Sequence, residues 1–244
     1  MDGMADVVFR DLCLDAADAS TLAGFWGAVL GRTVSDPGDG GRRIDPTAPS
    51  GTDGLWVDPV PEPRTAKTRV HLDLRLPAAD PGPLVALGAT VVREPGDGIH
   101  WWVLEDPEGN EFCAMPPAPP EWNAAVEVPT PFELVVDSAD PASIAGWWAE
   151  RFGVEVGSRE GKPERWLQGV PGFPFMFWVF APVPEPKTVK NRMHWDVALA
   201  GEDPAPLVEA GATVLREPDE EIRWWIMADP EGNEFCAFPA SATD

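Results

Sequence analysis

Apolar positions along the chain switch between a two-residue period and a three-to-four-residue period in a fixed order. From Phe9 to Asp15 they alternate, with Leu12 and Leu14 on one face and Asp11, Cys13 and Asp15 on the other, which predicts a strand. Ala16-Ala17-Asp18 turns the chain; Asp18 is placed to cap a helix over 19–30, closed by Gly31. Leu22, Phe25, Trp26 and Val29 share one face of that helix. A polar, Gly-rich stretch with short strands at Val34 and over 54–57 follows, and its Arg42 and Arg43 read as solvated. Alternation returns over 69–76, with Val70, Leu72 and Leu74 opposite Arg69, His71, Asp73 and Arg75. A short helix over 83–87 ends before Gly88, and strands are expected near 90–93, 100–105 and 110–115.

The same order is then written again. Residues 11–31 match 133–153, residues 59–76 match 182–199, and GATVVREP at 88–95 matches GATVLREP at 211–218. The nine residues 106–114, DPEGNEFCA, recur unchanged at 229–237, each time after a Trp pair: Trp101 and Trp102, then Trp224 and Trp225. Pro presets φ and Gly accepts positive φ, so this segment reads as a strand, a tight turn and a second strand. On that second strand Glu111 and Cys113 face away from Phe112, as Glu234 and Cys236 face away from Phe235. Of each Trp pair, one indole should face the helix and one the polar side. The expected organisation is two domains, 1–117 and 131–244, joined by a Pro-rich linker at 118–130. Each domain is a βαβββ pair, four modules in all.

Polar strand faces opposite packed ones have two readings. An open sheet shows such a face to water, whereas a curved sheet wraps it around a ligand cavity. Composition narrows the contents. With a formal charge of -23, neither nucleic acid nor an anionic membrane is an expected partner. The first residues, MDGMADVVF, lack a basic segment before an apolar core, so no secretory leader is expected. Three cysteines without disulfide-like spacing favour a reducing cytoplasm. Tyrosine is absent, which removes it as an acid, base or radical, and 12 tryptophans supply flat apolar surface instead.

The strand ending in Ala-Asp before an apolar-aromatic helix and Leu-Gly, the His-x-Asp strand and the DPEGN turn together resemble the vicinal oxygen chelate superfamily. That group holds glyoxalase I, bleomycin- and fosfomycin-resistance proteins and extradiol dioxygenases. The resemblance spans nearly the whole chain and is nearest to tandem glyoxalase-like proteins. It implies an α+β fold: tandem glyoxalase/bleomycin-resistance-like domains whose four βαβββ modules form curved mixed sheets around cavities. It also implies a divalent ion held by His or Gln on the first strand, His on the fifth and Glu on the eighth. Carried over, these positions fall on Asp11, His71 and Cys113 in the first copy and on Glu133, His194 and Cys236 in the second. Only the histidines match. An acid, an imidazole and a thiol suit Zn(II) and suit Mg or Mn poorly. The two-His, one-Glu set of an extradiol dioxygenase is incomplete. No cofactor is fixed by these residues; zinc or another divalent metal is one option, and metal-free histidines that hydrogen-bond or act as general bases are the other.

The expected catalytic residues are therefore His71 and His194. The expected ligand-binding residues are Asp11, Asp73, Trp101, Glu111, Cys113, Glu133, Trp178, Asp196, Trp224, Glu234 and Cys236. Trp26, Trp147 and Trp148, at helix spacing, belong to the core. In the second copy Trp166, Phe173, Phe175, Phe177 and Trp178 either stack on a flat ligand or close the contact between halves. The expected activity is binding or sequestering a small, partly apolar metabolite or antibiotic without the usual metal triad. The alternative is a glyoxalase-like lyase or isomerase that removes a proton beside a carbonyl. Either a monomer with two pseudo-equivalent halves or a homodimer fits the repeat.

Overall fold

The computed structural model describes residues 5–119 and 125–242; residues 120–124 of the expected linker and the first residues of the chain lie outside them. The first module is β1 (Val7–Ala16), α1 (Ala19–Leu30), β2 (Val34–Ser35), β3 (Arg42–Ile44) and β4 (Leu55–Pro59). The second is β5 (Val70–Arg75), α2 (Gly82–Leu87), β6 (Thr90–Arg93), β7 (Trp102–Glu105) and β8 (Glu111–Met115). The third is β9 (Thr130–Ser138), α3 (Pro141–Phe152), β10 (Val156–Ser158), β11 (Arg165–Leu167) and β12 (Phe177–Pro182). The fourth is β13 (Met193–Leu199), α4 (Ala205–Glu209), β14 (Thr213–Arg216), β15 (Trp225–Ala228) and β16 (Glu234–Phe238).

Local chemistry sets the helix ends where the sequence places them. The Asp18 carboxylate accepts from Thr21 N at 3.0 Å and from the Thr21 hydroxyl at 2.7 Å, and Gly31 takes a left-handed conformation at φ 63°. Asp140 caps α3 in the same way through Ser143 N at 3.1 Å, and Gly153 closes it at φ 67°. One short strand escaped the periodicity. Arg42 and Arg43 lie in β3, where Arg43 stacks over Trp56 at 5.0 Å and Arg42 pairs with Asp36 at 3.2 Å, so neither is simply solvated.

The modules combine across the repeat. One eight-stranded sheet has the order β14-β15-β16-β13-β1-β4-β3-β2 and the other β10-β11-β12-β9-β5-β8-β7-β6. The first module thus shares a sheet with the fourth, and the second with the third. β1 runs antiparallel to β13 with Cys13 opposite His194, and β5 runs antiparallel to β9 with His71 opposite Val135. Each half of the sequence therefore gives one module to each sheet.

Helices α1 and α3 lie between the sheets and join them into one core. Trp148 of α3 stacks on Trp178 of one sheet at 5.6 Å and meets Trp195 and Phe235 of the other at 5.5 and 5.1 Å. Trp26 of α1 packs edge-on against Phe112 at 5.1 Å. The two indoles also read the DPEGN turns. Trp26 Nε1 donates to Asp106 Oδ2 and Trp148 Nε1 to Asp229 Oδ2, each at 3.2 Å. The other oxygen of each aspartate closes its own turn, accepting from Glu108 N and Asn110 N, or from Glu231 N and Asn233 N. The turn glutamate then fastens a helix start: Glu108 accepts from Ala17 N and Asp18 N, and Glu231 from Ser138 Oγ and Asp140 N. A loop of the third module completes the junction. There Gly172, at φ 78°, passes so close to the Phe9 carbonyl that a Cβ would collide with it.

Candidate functional site

Strand alternation puts the apolar residues of β1, β5, β9 and β13 against the helices and leaves His, Asp and Cys on the opposite faces. Those faces are not open to water. The His71 and His194 side chains are each only 13% exposed, and Asp73 and Asp196 still less, which decides against a freely solvated sheet.

On the sheet carrying β1, three neighbouring strands bring together Cys13, His194, Asp196 and Cys236. Cys13 Sγ donates to Asp196 Oδ2 at 3.5 Å, and His194 Nε2 lies 3.8 Å from Asp196 Oδ1. Asp11 stands opposite Asp196 in the ladder. On the other sheet the equivalent set is His71, Asp73 and Cys113, with Glu133 opposite Asp73. His71 Nε2 is 3.4 Å from Asp73 Oδ1 and 3.7 Å from Cys113 Sγ. The two clusters differ at two positions: Val135 takes the place of Cys13, and Glu133 that of Asp11.

The pairing across the repeat corrects the grouping carried over from the sequence. Asp11, His71 and Cys113 do not converge, nor do Glu133, His194 and Cys236. Asp11 joins His194 and Cys236, while Glu133 joins His71 and Cys113. The first strands of the two copies are so alike that pattern alone cannot say which partner each takes. Trp178 is a second correction. It is fully buried among Trp148, Phe173 and Trp195 on the helix side, not on a ligand face. Phe173 meets Phe9 of the opposite sheet at 5.2 Å and Phe175 meets Phe173, so these close the contact between sheets. Phe177 and Trp166 fall on the polar face beside Glu133 by register.

Glu111 and Glu234 hold the loops that lead into the His strands. Glu111 accepts from Thr68 N at 2.8 Å and pairs with Arg64 at 2.6 Å; Glu234 accepts from Asn191 N and pairs with Lys187 at 2.7 Å. Of each Trp pair, Trp102 and Trp225 pack on the core, while Trp101 and Trp224 lie against the thiols of Cys113 and Cys236. Trp224 also stacks on Phe238 at 5.0 Å. Cys13 is the cluster member that the family pattern does not point to; its place on the polar face of β1, two residues after Asp11, was the available signal.

Electrostatically the first cluster favours its uncharged forms. Burial, then the Lys190 charge, pushes the His194 imidazole down to about 3, against the pull of Glu234. Burial, then Asp11, raises the Asp196 carboxyl to about 7. All three thiols are driven far up, chiefly by burial and then by the facing Asp196 or Asp73. Burial and the adjacent Asp73 raise Glu133 in the second cluster. These are inert thiols and a neutral imidazole, not a prepared thiolate nucleophile.

Each cluster offers an imidazole nitrogen, a carboxylate oxygen and a sulfur within 4.8 Å of one another. Asp73 Oδ1 and Asp196 Oδ1 are buried and make no hydrogen bond among the described residues. Such a donor set fits a borderline ion such as Zn(II) and does not fit a hard ion that wants six oxygens.

Comparison with known proteins agrees with this architecture. A family model described as a glyoxalase-like domain matches residues 11–115 and again 133–238. Glyoxalase I from Zea mays superposes with a TM-score of 0.67 at 12% identity, covering 96% of this chain and 93% of that one. A putative dioxygenase from Bacillus subtilis subsp. subtilis str. 168 gives 0.64 at 12% identity, covering 97% and 87%. A search of curated proteins gives no match. At these identities the structural likeness speaks for the fold, and the family match speaks for membership. The chain belongs to the glyoxalase-like domain family, carried twice in tandem within the vicinal oxygen chelate superfamily.

Proposed function

We propose that the chain binds a small, partly apolar molecule on the polar face of each sheet. His71 and Asp73, or His194 and Asp196, grip its polar end, and the indole of Trp101 or Trp224 flanks its apolar part. The observation that carries this reading is the recurrence of one sheltered His-Asp-Cys constellation on two adjacent strands in both sheets. A shape matched only to packing has no need of buried, incompletely satisfied carboxylates, which cost stability. At the His194 site a neutral imidazole and an Asp196 carboxyl raised to about 7 can each donate or accept, which suits an uncharged polar group better than an ion. Titration of Trp fluorescence with a panel of planar metabolites and antibiotics should give saturable quenching with up to two equivalents per chain. His194→Ala should weaken one of the two sites by about tenfold, the scale of one buried polar contact. Affinity unchanged in both His71→Ala and His194→Ala would remove this reading.

The bare Oδ1 atoms favour a second reading, a zinc-assisted glyoxalase-like lyase. Cys13, His194 and Asp196, and separately His71, Asp73 and Cys113, would hold the ion. A bound Zn(II) supplies Lewis acidity toward a carbonyl oxygen. Around it the chain's own contribution is to orient the substrate beside Trp101 or Trp224 and to keep water from the buried acids. Protein purified without chelator should then carry up to two zinc ions, with content falling in Asp73→Asn and Asp196→Asn. Metal content indifferent to both substitutions rules this version out.

A further inference from the structure

A cavity of about 410 Å³ lies away from both clusters, between the two copies of the loop PVPEP-x-T-x-K-x-R that leads into each His strand. The geometry points to a binding site there for one small organic anion, a molecule carrying a phosphate group or clustered carboxylates.

The first mark of such a site is charge. Arg64, Lys67, Arg69, Lys190 and Arg192 line this one cavity, five of the 18 basic residues in a chain of net charge -23. Among the lining residues only Asp15 and Glu62 are acidic, although the sequence has 41 carboxylate side chains. Four of the five are ion-paired, Arg64 with Glu111, Lys67 with Asp137, Lys190 with Asp15 and Arg192 with Glu108, so the surplus charge rests on Arg69, and the cluster is a local relief in an otherwise repulsive field.

The second is rigidity. Arg69 Nη1 donates to the Glu185 carbonyl at 2.9 Å, and Arg192 Nη1 donates to the Glu62 carbonyl at 2.8 Å. Each loop therefore clasps the other through the same pair of residues, and the cavity between them is held open before any ligand arrives. Preorganisation lowers the ordering cost of binding.

The third is spare hydrogen-bonding capacity. Arg64, Arg69 and Arg192 each carry a buried Nε–H with no acceptor among the described residues. Arg69 is further set apart because its guanidinium donates to carbonyl oxygens, of Glu185 and Asp137, and not to a carboxylate among the described residues. Lys67 and Lys190 are paired, with Asp137 and Asp15, but their side chains are 61% and 53% exposed. Their aspartates are buried, so each ammonium stays with its carboxylate and offers its remaining N–H donors to a ligand on the exposed side. Pro63, Ala66 and Val189 supply an apolar lining, which suits an organic body better than a bare inorganic ion.

The test is calorimetric titration of the full chain with pyrophosphate and with citrate, at constant ionic strength made up with sodium chloride. Saturable binding of one equivalent per chain is expected for at least one of them. Tighter pyrophosphate assigns a phosphate compound, and tighter citrate a polycarboxylate. The double variant Lys67→Ala/Lys190→Ala should bind roughly tenfold more weakly, as for loss of two charge-assisted contacts; its melting in chloride alone should fall, because two buried aspartates lose their cations, yet stay above the titration temperature. Thr65→Glu, an exposed lining residue, adds a carboxylate at the same place and should weaken binding too. No saturable heat with either anion, or affinity unaltered in both variants, overturns the proposal.

Discussion

Trp148→Ala should destabilise the whole molecule by about 3–5 kcal/mol, the range for removing a large buried aromatic side chain. Trp148 is fully buried, with Phe152 stacked on it at 5.5 Å as well as Trp178, Trp195 and Phe235 from both sheets. The lost indole N–H also leaves Asp229 Oδ2, which is buried, with only Asn233 as a donor. Trp148→Phe keeps most of the packing and loses only that donor, so its cost should be about 1–2 kcal/mol. Because the residue joins the two sheets, guanidinium unfolding of Trp148→Ala should stay a single transition with a lower midpoint, followed by far-UV and near-UV signals together. Two separated transitions, or a loss below about 1 kcal/mol, would mean that the sheets do not share one core.

The same residue marks how far the sequence could be read. Trp148 belongs to an apolar helix face whose spacing names it as core, and α1 begins and ends where Asp18 and Gly31 place it. Local signals of that kind are self-contained: a cap or a turn needs only its neighbours. The polar strand faces were legible for the same reason, since alternation fixes which side chains travel together. Partnership between modules was not. Glu133 could meet His71 or His194 with equal local logic, because the two copies carry nearly the same strands, and only the completed sheet distinguishes them. Trp178 failed differently. Its segment, FPFMFWVF, is apolar on both faces, so alternation cannot assign a side, and the shared core claimed the larger ring. Arg43 escaped because it falls in a Gly-rich stretch without periodicity and its stacking partner Trp56 lies thirteen positions away.

Stability should rise as the pH falls from 8 toward about 5.5, opposite to the habit of a protein held by exposed ion pairs. Burial, together with the charges of Asp15 and Asp39, lifts the Asp58 carboxyl to about 6; burial lifts Asp229 to about 6 against hydrogen bonds from Asn233 and Trp148. Both would ionise near 4 in the unfolded chain. Between those values the folded chain holds more protons than the unfolded one, so stability declines as pH rises through the window. Asp196, raised to about 7, and Glu133, also raised, act in the same sense. His194 opposes them: it stays neutral when folded down to about 3, whereas the unfolded imidazole takes a proton below about 6.5. Several carboxyls outweigh one imidazole. Below about pH 4.5 the balance turns again, because Glu111, although buried, is held below its usual range by Thr68 and Arg64 and loses those bonds on protonation. The expected melting temperature, measured with a chelator so that the clusters stay free of metal, is about 5 °C higher at pH 5.5 than at pH 8. Asp58→Asn should raise it at pH 8, raise it less at pH 5 and leave it unchanged below about pH 4, since the amide copies the protonated acid. A profile that climbs steadily from pH 5.5 to 8, with Asp58→Asn neutral throughout, would show that these carboxyls are not strained by their burial.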